Sequence, residues 1–280
     1  IPLISLRNIS TNTDDDMKRY IKITLLAILA IILVGVCVIG GFILKNYLQD
    51  KMNPAFEETT IFPDNKFNPT DTVLTVNGID VKMVGIRSGK VCCEGLRDTI
   101  ELQDFYIAET EVTQKLWTAI MGNNPSGNQE CDSLPVESVD LVECLDFVHK
   151  LDSVSGLDFY IPSYPQWVYA ANLGKCDSNQ THSSGKTFDD FAWWKNNSKK
   201  KPHPVKEKEP NALGIYDMQG NVSEWTISGS DPLFYVMGGS YASDKEHCDL
   251  ELHEIYHANM KVGETGLRLV YYPKTNSPEK

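Results

Sequence analysis

From Ile23 to Leu44 the chain runs for about 22 residues without a charged side chain, long enough to cross a hydrocarbon core of about 30 Å as one helix. That stretch is predicted to span a membrane, and it divides the chain before any other pattern is considered. Lys18, Arg19 and Lys22 precede it, and only Lys45 immediately follows, so the positive-inside bias places the N-terminal side in the cytoplasm and the rest outside. A cleavable signal peptide would have a shorter apolar region ending in small residues of the A-x-A kind, and none is found. Cys37, preceded by Val34, Gly35 and Val36, is a poor lipoprotein acceptor. Met17, followed by KRYIK, makes a natural start, and residues 1–16 are given no function. The expected organisation is therefore a cytoplasmic tail over 1–22, a signal anchor over 23–44, a tether over 45–79, one folded domain over 80–273 and a short tail over 274–280.

Charge separates the two sides. Residues 1–51 carry six basic and four acidic side chains, about +2, so the remainder carries about −14 of the total of −12. An outward domain so acidic disfavours nucleic acid and anionic lipid as partners and suits divalent cations. Residues 52–78, with Pro54, Pro63 and Pro69 and no sustained periodicity, read as a tether.

Within the domain three helices are predicted from caps and apolar spacing. Thr113 caps the first, whose Leu116, Trp117 and Ile120 share a face before Gly122 closes it. Leu141, Leu145, Val148 and Leu151 make the stripe of a second, ended near Gly156. Ser163 and Gln166 form a capping box for a third, with Trp167, Ala170 and Ala171 facing inward before Gly174. The rest reads as short strands joined by Gly, Asn and Pro turns.

One segment is distinctive. Pro210 to Trp225, PNALGIYDMQGNVSEW, combines a Pro-Asn turn, an aromatic-Asp-Met step, a Gly-Asn pair and a Glu-Trp pair. It closely resembles the core motif of the formylglycine-generating enzyme, or sulfatase-modifying factor, family. Further similar segments follow in family order: MVGI at Met83, FYIAETEVTQKLW at Phe105, NNPSG at Asn123, PVESV at Pro135, FYIPSYPQWVYAAN at Phe159, VMGGSY at Val236 and GLRLV at Gly266. The resemblance covers about 190 residues, Asp80 to Pro273. It implies an α+β fold, the formylglycine-generating-enzyme variant of the C-type lectin fold, with little regular secondary structure.

In the catalytic members of that family, two cysteines after the GGSW motif hold Cu(I). Counted from Ser240, their places here fall on Ser243 and Cys248. A neutral serine hydroxyl is a hard, weak ligand, so these positions do not supply the two soft thiolates that copper requires. Outside the anchor, Cys92, Cys93, Cys131, Cys144, Cys176 and Cys248 make an even six, some of which are expected to pair, with no connectivity implied by spacing.

Two other metals enter. His253 to His257 spells H-E-x-x-H, which on a helix binds zinc with Glu254 as general base, but the surrounding sequence has no helical apolar pattern, and the resemblance implies an irregular loop there. The resemblance also implies structural calcium at the GNVSEW turn through Asn221 and Glu224, whose hard oxygens suit a hard cation. The plainer reading makes Asn221 a turn residue and Glu224 one half of an ion pair. Trp225, Trp167 and Tyr216 read as core aromatics, Trp193 and Trp194 as core or as the wall of a groove, and Lys199, Lys200 and Lys201 as a solvated turn.

Two functions are carried forward. The first is a non-catalytic binding or scaffold module whose surface spans residues 241–265, with Tyr241, His247, His253, Tyr256 and His257 as contact residues for an extracytoplasmic protein or glycan. The second is a copper-dependent oxidase that converts the cysteine of a CxPxR sulfatase peptide to formylglycine. The serine at 243 favours binding.

Overall fold

A computed structural model of the chain describes residues 69–92, 99–172, 185–227 and 233–273. The expected span over 23–44, the N-terminal residues, Cys93 and Cys176 lie outside these. No helix among the described residues is long and apolar enough to cross a membrane.

Strands β1 (Thr72–Val76) and β2 (Ile79–Ile86) form a hairpin in which Val76 pairs with Ile79. The two residues between them, Asn77 and Gly78, have φ of 50° and 74°, the left-handed pair that a tight hairpin turn matching strand twist requires. β1 corrects the tether expected up to residue 79: TVLTV alternates half-buried and exposed positions, and the Asn-Gly turn returns it onto β2. A short pair, β3 (Gly89–Val91) and β4 (Ile100–Leu102), stands apart, and β5 (Phe105–Ala108) continues the main sheet beside β2.

The predicted helices form where their caps place them. In α1 (Gln114–Met121), the Leu116 N–H donates to the Thr113 hydroxyl, and Gly122 closes the helix at φ 78°. α2 (Leu141–Ser155) begins with a capping box between Asp140 and Glu143 and buries Leu141, Leu145, Val148 and Leu151. α3 (Tyr164–Ala171) has the Ser163–Gln166 box and ends at Asn172, ahead of Gly174. Trp117 of α1 and Phe147 of α2 stack with centroids 4.9 Å apart and planes 7° apart, which fixes the two helices against each other. The remaining elements are β6 (Phe159–Tyr160), α4 (Phe188–Phe191), β7 (Ser223–Trp225), β8 (Leu233–Met237), a 3₁₀ turn at Lys245–Cys248, β9 (His253–His257), β10 (Thr265–Gly266) and β11 (Val270–Tyr271).

Two sheets organise the domain. The first has the order β1-β2-β5-β11-β6, so the last described strand lies between strands formed much earlier, and the second has the order β10-β7-β8-β9. The core cluster draws on strands of both and on α3: Phe105, Ile107, Trp167, Val168, Ala170, Ile215, Met237 and Val270 are each no more than 1% exposed. Burying aromatic and aliphatic area on this scale is the main stabilising term. Trp225 and Trp167 are core residues, as read from the sequence, whereas Tyr216 is only half-buried.

Candidate functional site

The distinctive turn leads directly into β7 and carries a buried ionic network. Arg268, fully buried between β10 and β11, donates from Nε to both Glu224 oxygens (3.1 and 3.0 Å) and from Nη2 to Glu224 Oε1 (2.7 Å). Its Nη1 and Nη2 also donate to the Ala108 and Tyr216 carbonyls, so one guanidinium ties β5, the turn and β7 together. Trp167 Nε1 donates to Glu224 Oε2 at 2.7 Å. Burial works against the charged guanidinium, but Glu224 outweighs it and raises the Arg268 pKa.

Two more acids share the interior. Glu111 accepts from the Val222 N–H (3.1 Å) and from Asn221 Nδ2 (3.0 Å), and burial, then Asp217 and Glu224, push its carboxyl well above the usual range. Asp217 accepts from the Lys206 N–H at 2.9 Å, yet burial pushes its carboxyl up to about 6. Sequence reading passed over Glu111, Asp217 and Arg268. Arg268 had one local signal, a single cation within the apolar run GLRLV.

The expected calcium residues are engaged by protein groups. Both Glu224 oxygens serve Arg268 and Trp167, and Asn221 Oδ1 accepts from the His203 N–H at 2.9 Å. Asn221 has φ 56°, which agrees with the turn role. Three buried side-chain oxygens among the described residues have no donor, Asn172 Oδ1, Asp217 Oδ1 and Gln219 Oε1, and the last two come from residues of the turn that line one small cavity of about 20 Å³. That is room for one small oxygen-liganded occupant. Among the described residues, no group of three or more His, Cys, Asp or Glu side chains is placed to hold a metal.

The copper positions lie beside a second, larger cavity. After β8 the chain passes through Gly238 and Gly239, and a Cβ on Gly239 would fall 2.4 Å from the His247 carbonyl and 2.9 Å from Cys248 Sγ. Ser243 is used locally: its Oγ accepts from the Ser240 N–H at 2.9 Å and lies 3.2 Å from Ser240 Oγ. Cys248 is fully buried, with Sγ 3.9 Å from the Ser240 carbonyl, and burial pushes its thiol up to about 12, so it is a protonated packing residue. One buried thiol and one hydroxyl do not fit Cu(I). Of the other cysteines, Cys92 is in a disulfide whose partner lies outside the described residues, while Cys131 and Cys144 are free thiols.

The cavity has a volume of about 210 Å³, with Ser240, Ser243, His247, His253, Glu254, Tyr256 and Glu264 on its walls among apolar Val236, Leu252 and Val262. HEIYH is a strand, which corrects both the zinc helix and the irregular loop: β9 pairs along its whole length with β8. Strand alternation puts Glu254 on the opposite face from both imidazoles and separates His253 from His257 by about 13 Å, so the helical zinc geometry does not form. His253 instead lies against the rings of Tyr235 (4.2 Å) and Tyr164 (5.3 Å).

Of the expected contact residues, His247 and Tyr256 meet at the cavity; His253 borders it from the start of β9 with its ring turned to Tyr235 and Tyr164 on the other face, where His257 is exposed at the far end of the strand. Tyr241 is a correction: it is 8% exposed, its backbone is held by Asn221 and Ser198, and burial, then Glu264 and Glu137, push its hydroxyl up to about 12. Trp193 stacks on His203 at 3.7 Å under Lys208, and Trp194 Nε1 donates to Asp189, which makes both the base of a surface loop.

Comparison with known proteins agrees with this geometry. Residues 58–272 match the family model described as the sulfatase-modifying factor enzyme 1-like domain. "Chaperone protein LppX" of Paenibacillus barcinonensis is 27% identical over 228 residues, covering 61% of this chain and 81% of that protein. Among solved structures, Treponema denticola variable protein 1 is 26% identical with a TM-score of 0.66, covering 73% of this chain and 100% of the other. PvdO from Pseudomonas aeruginosa, 18% identical with a TM-score of 0.63, covers 73% of this chain and 99% of its own, and shows the shared fold alone.

Proposed function

We propose that this chain, which belongs to the sulfatase-modifying factor enzyme 1-like domain family, is a non-catalytic binding or scaffold module that engages its ligand at the cavity between the 240–247 loop and β9. The observation that carries the reading is Ser243: the hydroxyl at the first copper position is spent on the Ser240 N–H, and the remaining thiol, Cys248, is buried and protonated. Two similar proteins have names that fit binding better than oxidation, a variable protein and a chaperone protein.

The proposal includes two further parts. The domain faces outward on the anchor at 23–44, which the apolar run and its basic flank support. A structural calcium ion occupies the distinctive turn, with Asp217 and Gln219 as side-chain donors, supported by their two unpaired buried oxygens. The deciding experiment incubates the full chain in detergent with a CxPxR peptide, copper and oxygen, and weighs the peptide. Unchanged mass is expected. The mass loss of a thiol converted to an aldehyde would restore the oxidase reading.

A further inference from the structure

β9 is the outer strand of its sheet: β8 covers one edge, and no described strand pairs with the other. Its side chains alternate, with Glu254 and Tyr256 on the cavity face beside Val236 and Phe234, and Ile255, 50% exposed, on the opposite face. The cavity contains Glu254 and Glu264 and no lysine or arginine. Neither carboxylate has an ion pair among the described residues, although Lys82, Lys186, Lys195, Lys201, Lys206 and Lys261 all have carboxylate partners elsewhere. The Tyr256 hydroxyl donates to Glu254 and holds that carboxylate in place.

An open strand edge offers main-chain hydrogen bonds to an extended peptide, and strand pairing delivers every second side chain of the incoming segment to one face. Here one face is an acidic cavity with an aromatic wall, and the other presents an apolar side chain. Building on the ligand-binding reading above, we propose that the occupant is an extended peptide with Lys or Arg at alternate positions and apolar residues between them, paired with β9 and placing one cationic side chain in the cavity lined by Glu254 and Glu264. A second copy of the chain fits less well, because it brings its own Glu254 and a strongly negative domain to the same edge.

The test measures fluorescence anisotropy of a labelled alternating Lys-Val peptide with the full chain in detergent. The peptide should bind about tenfold or more tightly than its Glu-Val counterpart, and affinity should fall with salt. The double variant Glu254→Gln, Glu264→Gln should lose about tenfold in affinity at an unchanged melting temperature, and N-methylation of alternate backbone amides should abolish binding. Equal binding of the two peptides, undiminished binding by the double variant or tolerance of N-methylation would each overturn the proposal. So would a concentration-dependent dimer that Ile255→Asp abolishes, which would give the edge to a second copy. Weighing a CxPxR peptide in parallel separates the two readings: its oxidation sinks the non-catalytic module, whereas no oxidation and no charge preference sinks this inference alone.

Discussion

Replacing Arg268 with methionine keeps the length and the apolar stem of the side chain but removes all of its donors. Glu224 loses three contacts of 2.7–3.1 Å and keeps only Trp167 Nε1, while the Ala108 and Tyr216 carbonyls lose theirs. Removing one partner of a buried pair costs about 3–5 kcal/mol, chiefly from the charge left behind. In a domain of this size that corresponds to a fall in melting temperature of roughly 6–20 °C. Arg268→Met, Glu224→Gln and the double variant, unfolded by urea at pH 7, make a cycle in which the double variant should recover part of the loss. Additive single costs below about 1 kcal/mol would show that the guanidinium is not the tie between the sheets.

Three other outcomes are expected. Ser243→Cys should raise Cu(I) affinity sharply in a competition titration if Cys248 lies within reach of position 243, without restoring turnover; unchanged affinity would mean the two positions do not converge. Chelator should lower the melting temperature, and Asp217→Asn should reduce that difference; a melt indifferent to chelator in the wild type removes calcium from the turn. Burial works to raise the Glu109 carboxyl, but Lys206 at 2.6 Å and Lys82 at 2.7 Å outweigh it and hold it below 4.5. The stability it contributes is present above that value and lost as pH falls through the folded pKa, so Glu109→Gln should flatten the acid limb of the urea midpoint measured from pH 6 to pH 3.

The parts of the fold that were legible are those controlled by neighbours in the chain. Thr113, Ser163 and Gly122 act on groups three or four residues away; the first two open their helices and the third closes one, as read. Asp140 and Glu143 form a box of the same kind that was overlooked because the apolar stripe alone identified that helix. β1 was missed for a different reason: proline density upstream lent TVLTV the look of a tether, although Asn77-Gly78 is a strong hairpin signal. HEIYH illustrates the limit of motif reading, since its four-residue spacing converges on a helix and diverges on a strand, and pairing with β8 decides which. At the site, the exchange of cysteine for serine at 243 was visible by counting from Ser240. The convergence of Glu111, Asp217, Glu224 and Arg268 was not, because it depends on contacts more than forty residues apart.

The place of β11 has a consequence for how the molecule is made. Its two residues, Val270 and Tyr271, pair with β5 on one side and β6 on the other, so until they arrive the main sheet is β1-β2-β5 with β6 unattached. During synthesis every described helix is already available by then, yet β5 and β6 must wait with unsatisfied edges for the closing strand. A product truncated before Val270 would be a three-stranded sheet with an open β5 edge and an unattached β6, a substrate for quality control rather than a weakened version of the domain.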